Sequence, residues 1–185
     1  MKSVVISLFI LFTFFLLPFQ IVTLAQEEKM IATPEAQLIE QVDSFALFWP
    51  ISAGKTVDDT LFPLKKFKEN MRGLLIFSSP KKAEYQLFLA TKRFLEAEKL
   101  LKESKNDQML KSLDLGLEKL ASAKSSWEKA RNANAQRVNE MTNIATKIDN
   151  LNKLIAYYEN TTDGDIKSKL GNVKTALEEL KKAVQ

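Results

Sequence analysis

Cysteine and histidine are both absent from this chain, and glycine and proline number only five each. The first two absences remove whole classes of chemistry. There is no Ser-His-Asp or Cys-His nucleophile system, no imidazole or thiolate zinc site, no disulfide and no thiol redox reaction. Carboxylates and lysines remain, so acid–base chemistry stays open. A chain without cysteine also lacks the residue that carries the lipid of a bacterial lipoprotein. With few Gly or Pro to interrupt it, and no β-branched runs after the first 25 residues, the composition points to an all-α protein. Charge of one sign is missing too. The 27 Lys and Arg against 23 Asp and Glu leave a formal net charge of +4, a mixed surface without the one-sided field of a nucleic-acid binder. No nucleic acid, metal or cofactor is expected.

What is present starts with an apolar leader. Lys2 is a minimal positive head, residues 4–17 are rich in Phe and Leu, Pro18 breaks the run, and Thr23 and Ala25 fit a cleavage site ahead of Gln26. The run is also long enough to cross a bilayer at about 20 residues. Residues 1–25 are therefore a signal peptide or an N-terminal membrane anchor, and both place the remainder outside the cytoplasm. Residues 26–44 read as a linker with a short helix around Leu38, Val42 and Phe45, and residues 45–185 as one helical domain.

Within that domain, residues 79–103 carry the clearest helix. Ser79 supplies a cap, Pro80 the first turn, and no Gly or further Pro intervenes before Gly116. Ala83, Leu87, Ala90, Phe94, Ala97 and Leu101 make one seam, with Phe88 and Leu95 beside it, an arc wide enough to put this helix at the centre. Before it, Pro63 opens a helix whose seam is Leu64, Phe67 and Met71, followed by Leu74 and Leu75. After it, a polar turn at residues 104–107 folds the chain back into a helix with Leu110, Leu113, Leu117, Leu120 and Trp127. Residues 131–137 leave open whether residues 107–160 form one helix or two, and Ile166, Leu170, Val173, Leu177 and Leu180 carry the last helix. The expectation is an antiparallel helical bundle of about four helices. Its core is expected to hold Leu64, Phe67, Met71, Leu87, Phe94, Leu101, Leu113, Leu117, Leu120 and Trp127. Trp49 reads as a loop or core anchor.

Candidate chemistry is sparse. Residues 53–56, Ala-Gly-Lys-Thr, end like a phosphate-binding loop, but the first Gly of that motif would fall at Trp49 and no strand precedes it. Asp58 and Asp59 are adjacent carboxylates suited first to capping the helix at Pro63, with a general-acid role or a hard cation as the alternative. Glu96 and Glu98, among Lys92, Lys99 and Lys102, read as a solvated face. No catalytic residue is assigned. Lys65, Lys66, Lys68, Arg72, Lys81 and Lys82 set six cations against Glu69 and Glu84, a surface that suits anionic headgroups or wall polymers; ordinary solvated positions are the alternative.

The pattern Leu61-Phe62-Pro63-Leu64-Lys65, then Lys81-Lys82-Ala83-Glu84, Leu89-Ala90, Lys92-Arg93 and Glu96-Ala97-Glu98 resembles an uncharacterised bacterial domain of unknown function found behind signal peptides or membrane anchors. The likeness spans residues 45–130, leaving residues 131–185 as C-terminal helices. Members often carry Pro directly before the Leu-aromatic pair, where this chain has Thr60. The resemblance implies an extracytoplasmic helical protein and brings no activity or site residues. Two functions remain in view. One is a non-catalytic envelope interaction or scaffold module that binds a protein, an envelope polymer or the membrane; the other is a carboxylate-dependent envelope hydrolase acting on glycan, which needs two acidic groups across one cleft.

Overall fold

The computed structural model describes residues 42–134 and 138–185. The leader, most of the linker and Leu38 lie outside the described residues. Among the described residues no helix is long and apolar enough to cross a membrane. Along the described residues six helices follow one another: α1 (Ser44–Phe48), α2 (Phe62–Leu74), α3 (Ser79–Lys102), α4 (Asn106–Asn132), α5 (Val138–Thr161) and α6 (Gly164–Val184). Four of them, α3 to α6, make the helical bundle that the apolar periodicity implies.

The bundle is two antiparallel hairpins laid side by side. The turn from α3 to α4 closes because Ser104 takes a left-handed conformation at φ 58°. Its N–H then reaches the Leu101 carbonyl and that of Lys105 reaches Leu100, both at 2.9 Å, which satisfies carbonyls the helix end would leave bare. The second break answers the question left at residues 131–137. α4 stops at Asn132, Asn134 turns at φ 50°, and a separate helix starts at Val138; asparagine tolerates that backbone better than most residues. Ion pairs give the directions. Lys169 meets Asp114 and Lys124 meets Glu179, so α6 runs parallel to α4. Glu159 meets Lys174 and Asp149 meets Lys181, so α5 and α6 are antiparallel.

α3 is central because neighbours cover most of its circumference. Leu87, Phe94, Leu113, Leu120 and Trp127 are buried, and Leu101 and Leu117 lie half-buried against them. Contact between α3 and α4 is tight at one glycine. A Cβ at Gly116 would sit 2.3 Å from Phe94 Cε1 and under 3.0 Å from two more atoms of that ring, which is 2% exposed and has no room to retreat. The helix boundary before α3 differs slightly from expectation: Ser78, not Ser79, stands at the cap position, and it makes no side-chain cap bond.

The expectation that α2 contributes to the core fails, and of the two readings of Trp49 the core one does. Leu64 (65% exposed), Phe67 (63%) and Met71 (45%) are on the surface, as is Trp49. Trp49 packs edge-on against Phe45 with ring centroids 4.8 Å apart, outside the core. For α2 the physical reason lies in which of its faces meets α3, described below.

Gly116→Ala tests the close approach. Alanine improves helix propensity by about 1 kcal/mol, but overpacking a filled core typically costs about 1–3 kcal/mol, so we expect net destabilisation in urea unfolding. Phe94→Leu in the same background should recover part of the loss. Unchanged stability of Gly116→Ala alone would show that the ring does move aside.

Candidate functional site

α2 lies on α3 with its charged and small residues inward. Glu69 and Gly73 are buried, and Lys65 is largely covered. At Gly73 the α3 residue Tyr85 comes within 3.4 Å of where a Cβ would be, an ordinary van der Waals contact. Tyr85 donates its hydroxyl to the Glu69 carbonyl at 3.0 Å, and the Arg72 guanidinium sits over the Tyr85 ring at 5.6 Å.

Beneath α2 the charges form a clamp. Arg93 Nη1 donates to both oxygens of Glu96, at 2.7 and 2.9 Å. Its Nη2 donates to Glu69 Oε2, and Lys92 reaches Glu69 Oε1 at 3.2 Å. Lys65 donates to Glu96 and to the carbonyls of Ala53 and Lys55, at 3.1 and 2.6 Å. The Phe62 ring lies 4.9 Å from Arg93 and caps the group. Burial pulls the Lys65 ammonium below its ordinary pKa, with Glu96 opposing that pull. Glu96 is wholly buried and Arg93 is 1% exposed, so each charge depends on the others.

A second carboxylate two residues on ties down the other flank. Glu98 Oε1 accepts from Ser44 of α1 at 2.9 Å, Tyr158 of α5 at 2.8 Å and Lys102 at 2.6 Å. Burial, and then this hydrogen bond, push the Tyr158 phenol well above its usual value. The solvated-face reading of Glu96 and Glu98 is therefore corrected: both are buried, Glu96 under Lys65 of α2 and Glu98 under α1 and Tyr158 of α5.

The loop entering α2 is stitched at both ends. Gly54 takes a positive φ of 68°, Lys55 pairs with Asp59 at 2.9 Å, and Thr56 donates to Asp58 at 2.5 Å. Asp58 also accepts from Lys105 in the α3–α4 turn at 2.7 Å. Asp59 takes the Leu61 N–H at 2.8 Å, a turn just ahead of α2 rather than a bond to its first turn.

Of the six cations expected on an anionic contact surface, Lys65 is withdrawn into the clamp, so it is corrected to a structural residue. Lys68, Arg72 and Lys81 are exposed, and Lys66 and Lys82 half-buried. Glu84 is engaged by Lys147 and Asn143. Turned outward between these cations are Leu64, Phe67, Met71, Leu74 and Leu75, all exposed. A contiguous apolar stripe of this kind marks a contact surface more often than an accident of folding. Sequence reasoning missed the clamp. The signal lay in the family-like pattern itself, since Lys65, Arg93, Glu96 and Glu98 all belong to it.

The model of a family described as a domain of unknown function (DUF5667) matches residues 54–151. The chain belongs to that family. The match contains the loop, α2, the clamp and the α3–α4 hairpin, and ends inside α5. No curated protein and no solved structure matches the chain. Among the described residues no group of three or more Asp or Glu is placed to hold a metal ion.

Arg93→Met leaves Glu96 with Lys65 alone and Glu69 with Lys92 alone, so we expect a loss of up to about 3–5 kcal/mol, the usual cost of removing one partner from a buried ion pair. Faster hydrogen exchange across residues 62–74 should accompany it. Exchange at the wild-type rate there would mean that the clamp is not what holds α2.

Acid offers a separate test of the loop. The hydrogen bond from Lys105, then that from Thr56, hold the Asp58 carboxyl at about 2, below its ordinary 3.8. A depressed carboxylate contributes stability that is present above its unfolded value and is lost as pH falls through the folded one. Loop proteolysis near residues 54–60 should therefore rise between pH 4 and pH 2, about the interval that separates those two values. The effect should be small for so exposed a pair, and Asp58→Asn should flatten it.

Proposed function

We propose that this chain is a non-catalytic interaction module of the cell envelope, exported by its N-terminal leader, with the outer face of α2 as its contact element. The observation that carries the reading is the orientation of α2. Buried ions hold its polar side inward, and Leu64, Phe67, Met71 and Leu74 are left facing solvent. A helix held by charge at this desolvation cost, with its apolar side free, is arranged to offer that side to something else.

The state of the acidic residues supports a non-catalytic role over glycan hydrolysis. A hydrolase of that kind needs one carboxyl group able to donate a proton and a second facing it across the scissile bond. Glu69 and Glu96 both spend their oxygens on Arg93 and lysines. Glu98 takes three donors on one oxygen. The leader's charge and apolar pattern supports export, and the bilayer-length run would hold the chain at the membrane if it is kept.

A photo-crosslinking residue at position 67, compared with one at position 125 on exposed Ser125 of α4, tests the module in intact cells. We expect the chain to be accessible to protease outside the cytoplasm, with adducts from position 67 and few from position 125. A cytoplasmic location, or equal labelling from the two positions, overturns the reading.

A further inference from the structure

We propose that α2 is an interfacial helix that rests on an anionic lipid bilayer, with its apolar side at the acyl boundary and its flanking cations at the headgroups. This assignment deepens the envelope-module reading and rests on it.

Helical geometry comes first. At 100° per residue, Leu64, Phe67, Met71, Leu74 and Leu75 fall within an arc about 100° wide, opposite the buried Glu69 and Gly73. Lys68 and Arg72 border one edge of that arc, and Asn70 borders the other, with Lys66 a further 40° round. A helix with this division, apolar outward with Lys68 and Arg72 along one margin and Lys82 of α3 beside the other, matches the pattern that lies in the plane of a membrane surface. α2 is 13 residues long, about 20 Å at 1.5 Å per residue. Its main helical neighbour is α3, so the outer side is a convex ridge rather than a groove for a partner helix. Phe77, almost wholly exposed, continues the apolar surface just past its end.

Charge decides between occupants. The one acid of α2, Glu69, is committed to Arg93 and Lys92, so the exposed surface of the helix carries cations alone. Lys66, Lys68, Lys81 and Lys82 pair with no acid among the described residues, and Lys82 stands beside Asn70 and Leu74 along the same helix. A second copy of the chain would set this face against itself in a two-fold contact and oppose like charges. An anionic bilayer complements both features at once: headgroups for the cations and an apolar interior for the stripe. The leader adds proximity, since its apolar run of residues 4–25 brings the chain to a bilayer during export.

Because the chain has no cysteine, one introduced thiol gives a single label. The full chain carrying Met71→Cys and a polarity-sensitive dye is mixed with vesicles of equal parts phosphatidylcholine and phosphatidylglycerol, and separately with phosphatidylcholine alone. The same dye at Ser125→Cys is the control. We expect a blue shift at position 71 with the anionic vesicles only, reversed by salt, and no shift at position 125. Lys66→Gln, Lys68→Gln and Arg72→Gln together should raise the lipid concentration for half the shift on the order of a hundredfold, from a factor of about five per cation. Besides an absent shift, three results overturn the assignment. They are a shift on both lipids alike, a shift that follows protein concentration without lipid, and a dye already dry in buffer, which would mean that residues before Val42 cover the face. If position 71 stays wet on anionic vesicles while position 67 still forms adducts in cells, the lipid assignment falls and the module reading stands. If both fail, both fall.

Discussion

Arg93 is buried between α3 and α2, and a guanidinium stays charged whatever surrounds it. It must be met by carboxylates, and Glu96 from the next turn and Glu69 from α2 meet it. Each carboxylate then needs a second cation, which Lys65 and Lys92 provide. The consequence is directional. Lys65, Glu69 and Gly73 share one face of α2, so satisfying Arg93 rotates that face onto α3 and sends Leu64, Phe67 and Met71 outward.

The clamp and the bundle core do different work on the same helix. Toward α4, α3 presents Leu87, Ala90, Phe94 and Ala97, and the approach is close enough that Gly116 has no space for a methyl group. Toward α2 it presents Lys92, Arg93 and Glu96. Hydrophobic packing tolerates some repacking of shape, whereas a buried ionic group is satisfied in few geometries. α2 and the loop at residues 53–59 therefore gain a defined position from a small contact with α3. Glu98 does the equivalent for α1 and α5 through Ser44 and Tyr158.

How much of this was legible follows from what periodicity encodes. The spacing of Leu, Ala and Phe in residues 79–103 shows which residues share a side, and with an apolar arc that wide the central position of α3 follows. The same spacing in residues 64–75 is just as regular, yet the side it defines points outward. A hydrophobic stripe states which residues travel together; it does not state which way they face, because that depends on what the opposite side can bond to. Charged residues carry the converse ambiguity. Glu96 and Glu98 among lysines look solvated until other segments cover them, and those segments are distant in sequence: Lys65 for Glu96, Ser44 and Tyr158 for Glu98. The spacing marked residues 131–137 but left one helix or two open for a different reason: that stretch has no Gly or Pro, and the left-handed turn falls on Asn134.

Holding α2 by ions also explains why its apolar side can be left free. Had α2 been attached through Leu64, Phe67 and Met71, its cations would face water and no lipophilic surface would remain. With the contact made through Arg93, Glu69 and Glu96, the apolar atoms stay available while the position of the helix is fixed. Desolvating those ions has a cost that a hydrophobic seam would avoid, and it is offset locally by the Phe62 ring over Arg93 and the carbonyls of Ala53 and Lys55 around Lys65. Lys65, Arg93, Glu96 and Glu98 all fall within the span matched by the family. The part of the chain that the family describes is thus the part that sets the orientation of α2, and through it the chemistry of the outward surface.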